Sequence, residues 1–285
     1  MTNDELKVLV EQVDEGSRAR AGAPAEHPEM NRLVRTIWRL RQPDGCPWDR
    51  VQTHESIRAN MIEEAYEAVE TIDRADDAHL MEELGDVLEQ VLLHAQIAED
   101  RGAFGIDDIA RGLNEKLVRR HPHVFGKSSA GNAEEALDSW DEVKRDERAA
   151  AGEDEVPQGL LDSIPRAMPA LMQCQKISKR AAKAGFEWET TADVWDKVAE
   201  ERAEFEREER GSEAAAAEFG DLLFALVNVA RKEGIDAEEA LRASNEKFRR
   251  RWAAVEAEAR KRGQDASELG TDELNRVWDA VKAGE

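Results

Sequence analysis

Two groups of carboxylates in this 285-residue chain repeat one spacing and could each bind a divalent metal ion. In each group, two acidic residues one helical turn apart precede a Glu-x-Gly-Asp sequence. Residues three or four positions apart share a helix face, so two antiparallel helices would bring four carboxylates together. Oxygen ligands without histidine or cysteine favour Mg²⁺, with Mn²⁺ as a possible substitute. The predicted metal ligands are Glu64, Glu67, Glu83 and Asp86 in the first group, and Glu201, Glu204, Glu218 and Asp221 in the second.

The close spacing of these carboxylates has an electrostatic consequence. Like charges raise each other's pKa and destabilise the fold, so a protein that keeps such a cluster needs a cation to neutralise it. Gly85 and Gly220 occupy the same place in both groups, although Gly inside a helix costs about 0.5–1 kcal/mol relative to Ala. Their recurrence predicts that a neighbouring backbone or a ligand approaches closely there. Glu63 and Glu200, adjacent to the ligand sets, are candidate general bases.

A basic block follows each acidic group. It reads NEKLVRR from Asn114 and NEKFRRR from Asn245. Lys and Arg together with Mg²⁺ commonly bind polyphosphates, although the same cations also suit the C-terminal end of any helix. The predicted phosphate-binding residues are Lys116, Arg120, Lys247 and Arg251.

The order of these blocks indicates an internal repeat. Glu64 and Glu201 are 137 positions apart, and Asn114 and Asn245 are 131 apart. Ordered blocks at a nearly constant offset predict two copies of one helical domain. Because strand-like alternation is absent, we expect an all-α fold with two tandem helical-bundle domains. The expected parts are an N-terminal extension over 1–28, a domain over 29–126, a helical, proline-containing linker over 127–165, and a second domain over 166–285.

Helical periodicity and breaking residues predict the individual helices. Leu33, Ile37 and Leu40 form one apolar stripe. The segment QPDGCPWDRVQT interrupts the periodicity, and Thr53 is suited to cap the next helix. The further expected helices run to about Arg74, from Asp76–Asp77 to about Arg101, over 106–120, around Trp140, and from near Ala170 to the end with breaks at Gly185, Gly211 and Gly234.

Composition restricts the class of protein. Hydrophobic residues make up 41% and charged residues 36%, as in soluble globular proteins. The net charge of −23 disfavours binding to nucleic acid polymers, but metal ions can bridge a small anion to carboxylates. Cys46 and Cys174 form no disulfide framework, and no signal-like or membrane-spanning apolar run occurs. We therefore expect a cytoplasmic protein without a membrane segment.

Several segments resemble the MazG-type nucleoside triphosphate pyrophosphohydrolases, which belong to the all-α NTP pyrophosphatases. They are RLRQPDGCPWDRVQTHESI, EKLVRRHPHVF, DSIPRAMPALMQCQKISKRAAKAGFEW and GDLLFALVNVARKEGIDAEEALRASNEKFRRRW, together with the repeated acidic groups. The resemblance covers roughly residues 30–283 and leaves out residues 1–28.

The resemblance implies a function. It implies Mg²⁺-dependent hydrolysis of (deoxy)nucleoside triphosphates to nucleoside monophosphate and pyrophosphate, by attack of water at the α-phosphorus. It also implies broad base tolerance, a homodimer whose paired domains build the sites, and a role in nucleotide-pool cleaning and stress responses. The eight carboxylates match the family's metal ligands, and Lys247 and Arg251 match basic residues of its C-terminal site. Trp278 matches a tryptophan near that site, which either stacks on a base or packs a terminal helix.

One position departs from the family pattern, and other functions stay open. The family's C-terminal domain can carry a lysine where this chain has Ala214, so one phosphate contact is missing. The alternative functions are an acidic helical interaction protein without turnover, a pyrophosphatase narrowed to dUTP or phosphoribosyl-ATP, and an enzyme with one working and one regulatory nucleotide-binding domain.

Overall fold

The computed structural model describes residues 2–24, 26–126 and 159–284, together with 129–132, 135–136, Trp140 and Val143. Every regular element in these ranges is a helix, which confirms the predicted all-α class. The chain divides into two compact units, Met1–Gly152 and Glu153–Glu285, and each is described by itself below. Much of the predicted linker, and most of the helix expected around Trp140, lies outside the described residues. None of the helices in the described ranges combines the length and apolarity needed to cross a bilayer.

Seven helices of the first unit are described from their first to their last residue. The helix over Asp77–Glu99 begins where predicted, because the Asp76 side chain accepts a hydrogen bond from the backbone N–H of His79 at 3.2 Å. The helices are α1 (Asn3–Arg18), α2 (Pro28–Leu40), α3 (Pro47–Val51), α4 (Arg58–Asp73), α5 (Asp77–Glu99), α6 (Ile106–Arg120) and α7 (Pro122–Phe125).

The prediction that Thr53 caps the next helix is wrong. The Thr53 hydroxyl accepts a hydrogen bond from the backbone N–H of Ser56 at 3.3 Å, which closes a turn. Helix α4 begins only at Arg58. The short helix α3 was not predicted either, because the surrounding Pro and Gly residues indicate a loop, whereas Pro47 occupies a first-turn position that proline suits.

The core of the first unit lies between α2 and α5. Ile37 from the predicted stripe packs with Leu92, Leu93 and Ile97 of α5, and Ile57 closes the cluster. Helix α1 packs against α6, and its Leu6 is buried. The N-terminal segment, expected to be an extension, is therefore packed into this unit at least through α1.

The second unit contains five α-helices and one 3₁₀ turn in its described residues. The predicted breaks at Gly185, Gly211 and Gly234 are confirmed, and these glycines have φ of 95°, 79° and 71°, values that favour Gly. Another break occurs at Gly263, with φ of 73°, and was not predicted. The helices are α8 (Ala170–Lys183), α9 (Thr191–Arg207), α10 (Glu213–Lys232), α11 (Ala237–Lys261) and α12 (Thr271–Ala283), with the 3₁₀ turn over Ala266–Glu268.

Each unit contains one helical hairpin that carries an acidic group. Helices α4 and α5 pack along each other and are joined by three residues, 74–76. Helices α9 and α10 do the same and are joined by residues 208–212. Because such short connections force antiparallel packing, each hairpin brings two separated acidic pairs side by side.

Candidate functional site

The hairpin of the first unit gathers three carboxylates. Glu64 projects from α4, and Glu83 and Asp86 project from α5. Each offers one carboxylate oxygen, and these three atoms all lie within 4.8 Å of one another. All three residues are half-buried. Side chains 22 positions apart in sequence (Glu64 and Asp86) therefore form one cluster, as the antiparallel pairing predicted.

The hairpin of the second unit repeats this cluster. Glu201 of α9 and Glu218 and Asp221 of α10 bring their oxygens within 4.8 Å of one another. Here the Glu201 side chain is buried, with only 8% of its surface exposed. The repeated spacing in the sequence thus corresponds to repeated geometry in the two hairpins.

Glu67 and Glu204 lie at the edge of these clusters. Both were predicted as ligands, but neither belongs to the three-carboxylate groups. The spacing alone does not explain this, because Glu83 and Asp86 are also three positions apart and both belong to a cluster. Their charges still act on the clusters, because Glu67 helps to raise the pKa of Glu83, and Glu204 helps to raise the pKa of Glu218. Glu204 also pairs with Arg207 at 3.3 Å.

The clusters are electrostatically strained, as expected. Burial raises the pKa of Glu64, and the carboxylates of Asp86 and Glu67 raise it further. The pKa of Glu83 is raised first by burial and then by Glu67 and Asp86. The pKa of Glu218 is raised by burial and then by Glu204 and Glu201. Burial is the largest cause of the raised pKa in each case. The sequence had pointed only to repulsion between like charges.

The donor set of both clusters fits a small hard cation. Mg²⁺ binds oxygen ligands at about 2.0–2.1 Å, and small side-chain rotations would close the present oxygen spacing around it. All three donors in each cluster are carboxylates, the ligand type that Mg²⁺ and Mn²⁺ prefer over nitrogen or sulfur. The raised pKa values of the carboxylates agree with such a site, because a bound dication would relieve the repulsion between them.

A lysine distinguishes the second cluster from the first. Lys197 Nζ lies 2.6 Å from Glu201 Oε1 and 3.1 Å from Glu200 Oε1. Hydrogen bonds to Glu201 and Glu200 raise the pKa of Lys197 above its usual value. The corresponding position, four residues before Glu64, is Asn60, which carries no charge. Both predicted bases, Glu63 and Glu200, are exposed, and Glu200 pairs with this lysine.

The predicted phosphate-binding cations lie on other helices. Lys116 and Arg120 are half-buried on α6, and α11 carries the exposed Lys247 and the half-buried Arg251. The structure brings Arg251 to Trp278, with the guanidinium carbon 5.9 Å from the centre of the indole ring. Phe248 lies beside the same tryptophan, at 5.0 Å between ring centres.

Sequence reasoning missed two residues near these positions. Lys197 could have been found as a basic residue one helical turn before Glu201. Trp140 could have been found from the repeat, because WDEVK from Trp140 matches WDAVK from Trp278. Arg120 lies over its ring, with the guanidinium carbon 5.7 Å from the ring centre.

The expectation was that a neighbouring backbone or a ligand approaches Gly85 and Gly220. No neighbouring backbone of the described chain does so, because a Cβ atom built at either position would meet nothing within 4 Å apart from its own stretch of helix. The approach of a ligand stays a prediction. Both glycines are exposed on their helices. Packing within the chain therefore does not require glycine at these two positions.

Comparisons with known proteins point to one family. The MazG nucleotide pyrophosphohydrolase domain matches residues 52–125, a range that includes the whole first acidic group. The chain is 44% identical over 262 residues to the nucleoside triphosphate pyrophosphohydrolase of Escherichia coli (strain K12), which covers 90% of this chain and 98% of that protein. It is 41% identical over 253 residues to the nucleoside triphosphate pyrophosphohydrolase/pyrophosphatase MazG of Thermotoga maritima, covering 89% of this chain and 95% of that protein.

Proposed function

Since the chain belongs to the MazG nucleotide pyrophosphohydrolases, we propose that it hydrolyses nucleoside and deoxynucleoside triphosphates to the monophosphate and pyrophosphate, with Mg²⁺. The observation that carries this proposal is the pair of three-carboxylate clusters, one on each helical hairpin. A triphosphate is itself an anion, so an acidic protein can bind it only if a cation lies between the two. An oxygen-lined cluster suits this arrangement.

The cluster carboxylates are the proposed metal ligands. Glu64, Glu83 and Asp86 hold the metal in the first unit, and the second unit uses Glu201, Glu218 and Asp221. When bound, Mg²⁺ neutralises the phosphate oxygens and lowers the pKa of the attacking water. Glu67 and Glu204, one turn along, complete the ligand sets by a change of side-chain conformation.

Residues outside the clusters are proposed to accept the proton of the attacking water and to bind the leaving pyrophosphate. Glu63 and Glu200 are proposed as general bases, each adjacent to a cluster glutamate. Glu200 can act only after Lys197 releases it, because that lysine lies 3.1 Å away. Lys116, Arg120, Lys247 and Arg251 bind phosphate oxygens and offset the negative charge that develops on the leaving pyrophosphate. Trp278, held beside Arg251, offers an aromatic face to the base.

We also propose a homodimer that pairs through these hairpins. Four large apolar side chains of α10 remain 38–46% exposed in the single chain: Phe219, Leu223, Phe224 and Leu226. Helices α4 and α5 likewise expose Met61, Ile62, Met81 and Leu84. Several large exposed apolar side chains on one hairpin are typical of a subunit interface. We further propose that residues 29–126 and 166–285 form two tandem MazG-like domains.

The cellular role is proposed from the resemblance. It comprises broad base tolerance, removal of unwanted nucleotides from the cytoplasmic pool, and a part in stress responses. The alternative is a pyrophosphatase with a narrower substrate range, which acts only on dUTP or phosphoribosyl-ATP.

The test is product analysis. The purified chain is incubated with each NTP and dNTP, with dUTP and with phosphoribosyl-ATP, in Mg²⁺ or in EDTA, and the products are separated. Monophosphate and pyrophosphate from many bases, formed only with metal, are expected. Diphosphate and orthophosphate would contradict the proposed bond cleavage, and turnover of a single substrate would contradict broad tolerance.

A further inference from the structure

The first unit contains an arginine–tryptophan pair, and the proposed function has given its tryptophan no role. The Arg120 guanidinium carbon lies 5.7 Å from the centre of the Trp140 ring. The His121 ring meets the same indole at 5.0 Å, with the two planes 87° apart. Trp140 as a whole residue is half-buried.

The second unit contains the same arrangement. There Arg251 lies 5.9 Å from the Trp278 ring centre, and Phe248 lies 5.0 Å from it. Arg120 and Arg251 are equivalent in the repeat, 131 positions apart. Trp140 begins the sequence WDEVK and Trp278 begins WDAVK, 138 positions apart, so the two tryptophans also match, and each lies beside the equivalent arginine.

The chemistry of this pair suits a nucleoside phosphate. An indole face stacks on any base, and stacking of this kind tolerates differences in base identity. A guanidinium held against that ring supplies donors to a phosphate a short distance from the base. One ligand with both an aromatic ring and phosphates would use both groups at once.

Polar groups lie against this indole. Arg120 and His121 both contact its ring. The adjoining His123, whose ring centre is 5.6 Å from that of His121, has a buried Nδ1 atom without a hydrogen-bond partner in the described part of the chain. Polar groups next to the indole favour a polar, aromatic ligand over a purely structural contact.

We propose that Trp140, held by Arg120, forms a base-stacking subsite for a nucleoside triphosphate in the first unit. This inference rests on the proposed function, because it places a nucleotide beside the helix that carries Lys116. It gives the first unit its own means of binding a nucleoside, in addition to its carboxylate cluster.

The test uses the full chain with Glu201→Gln and Asp221→Asn, which disable the second cluster. Binding of two probes is measured by calorimetry in Mg²⁺: a non-hydrolysable α,β-methylene nucleoside triphosphate and inorganic tripolyphosphate. Trp140→Leu is expected to weaken binding of the nucleotide about tenfold and to leave tripolyphosphate unchanged. Trp140→Phe keeps an aromatic face and is expected to retain most of the affinity. Trp38→Ala, an exposed tryptophan on α2, is the matched control and is expected to bind both probes normally.

Three results would overturn the inference. They are unchanged nucleotide affinity in Trp140→Leu, an equal loss for both probes, and a starting variant that binds the nucleotide no better than tripolyphosphate. Product analysis of the unaltered chain tests the proposed hydrolysis separately from the stacking subsite. If it still forms monophosphate and pyrophosphate, any of these results removes the stacking subsite alone.

Discussion

Lys197 places its ammonium group 2.6 Å from Glu201 inside the second carboxylate cluster, whereas the first cluster has Asn60 at the corresponding position. Two sites with matching ligand geometry therefore differ in built-in charge. The second cluster carries a cation of its own, which partly neutralises it before any metal binds. The first cluster has no such lysine on α4.

Replacing Lys197 with Met should destabilise the metal-free protein by about 1–2 kcal/mol. The buried Glu201 carboxylate would lose its partner, a penalty that the partial exposure of Lys197 moderates. Saturating Mg²⁺ should recover most of this loss, because the metal neutralises the same carboxylate. Denaturant unfolding in Mg²⁺ and in EDTA measures both quantities. The control Arg202→Gln breaks an exposed pair on the same helix and should change stability by less than about 1 kcal/mol. An equal loss with and without Mg²⁺ would contradict this account.

The raised pKa values of Glu83 and Glu218 predict a pH effect of a definite sign. The folded state holds these protons more tightly than the unfolded state, so their ionisation lowers stability as pH rises from the ordinary value of 4.5. In EDTA, the variant Glu83→Gln/Glu218→Gln should therefore gain stability over the parent protein as pH rises from 4 to 7. Mg²⁺ should remove that advantage. Thermal unfolding across pH measures the difference, with Glu11→Gln on α1 as the control. A pH-independent difference would refute the link to the clusters.

The ion pair between Glu187 and Arg231 predicts the opposite sign. Two hydrogen bonds of 2.6 and 2.7 Å join them, and Arg231 lowers the pKa of Glu187 to about 2. This carboxylate contributes stability above its unfolded pKa of 4.5, and the contribution is lost as pH falls towards 2. Glu187→Gln should cost about 1–2 kcal/mol at pH 7 and progressively less below pH 4.5. Urea unfolding at several pH values tests this, with the neighbouring Glu189→Gln as control. A cost that persists at pH 2 would argue against the ion pair as its source.

Removing both clusters should abolish hydrolysis. The variant Glu64→Gln/Asp86→Asn/Glu201→Gln/Asp221→Asn is expected to fall below about 1% of the parent kcat, since metal neutralisation supplies several kcal/mol of transition-state stabilisation. The double variants Glu64→Gln/Asp86→Asn and Glu201→Gln/Asp221→Asn, tested separately, measure how much of the activity each unit contributes. The matched control is Glu70→Gln/Glu206→Gln, which removes exposed carboxylates of α4 and α9 outside the clusters. Substantial turnover by the fourfold variant would mean that the carboxylates are not the metal site.

The sequence predicted those features that depend on local chemistry or on spacing. Gly185 and Gly234 follow the last residues of α8 and α10, Gly211 lies in the turn between α9 and α10, and all three adopt a positive φ. Asp76 begins α5 because its carboxylate caps a free backbone N–H. The i, i+3 spacing of the acidic pairs indicated their convergence on antiparallel helices.

Features that depend on contacts between distant segments were not predictable. Thr53 has the right residue type for a cap, but Ser56 uses its hydroxyl in a turn. Trp140 lies against Arg120 although 20 positions separate them in the sequence. The exclusion of Glu67 and Glu204 from the tight groups depends on how each helix is rotated about its axis, which spacing alone leaves open.

The central claim is that the carboxylate clusters serve attack of water at the α-phosphorus of a nucleoside triphosphate. Hydrolysis in ¹⁸O-labelled water, followed by ³¹P NMR of the products, tests it most directly. The account predicts that the label enters the nucleoside monophosphate, that pyrophosphate remains unlabelled, and that EDTA stops the reaction. Label in pyrophosphate or in orthophosphate would place the attack at another phosphorus and contradict the account.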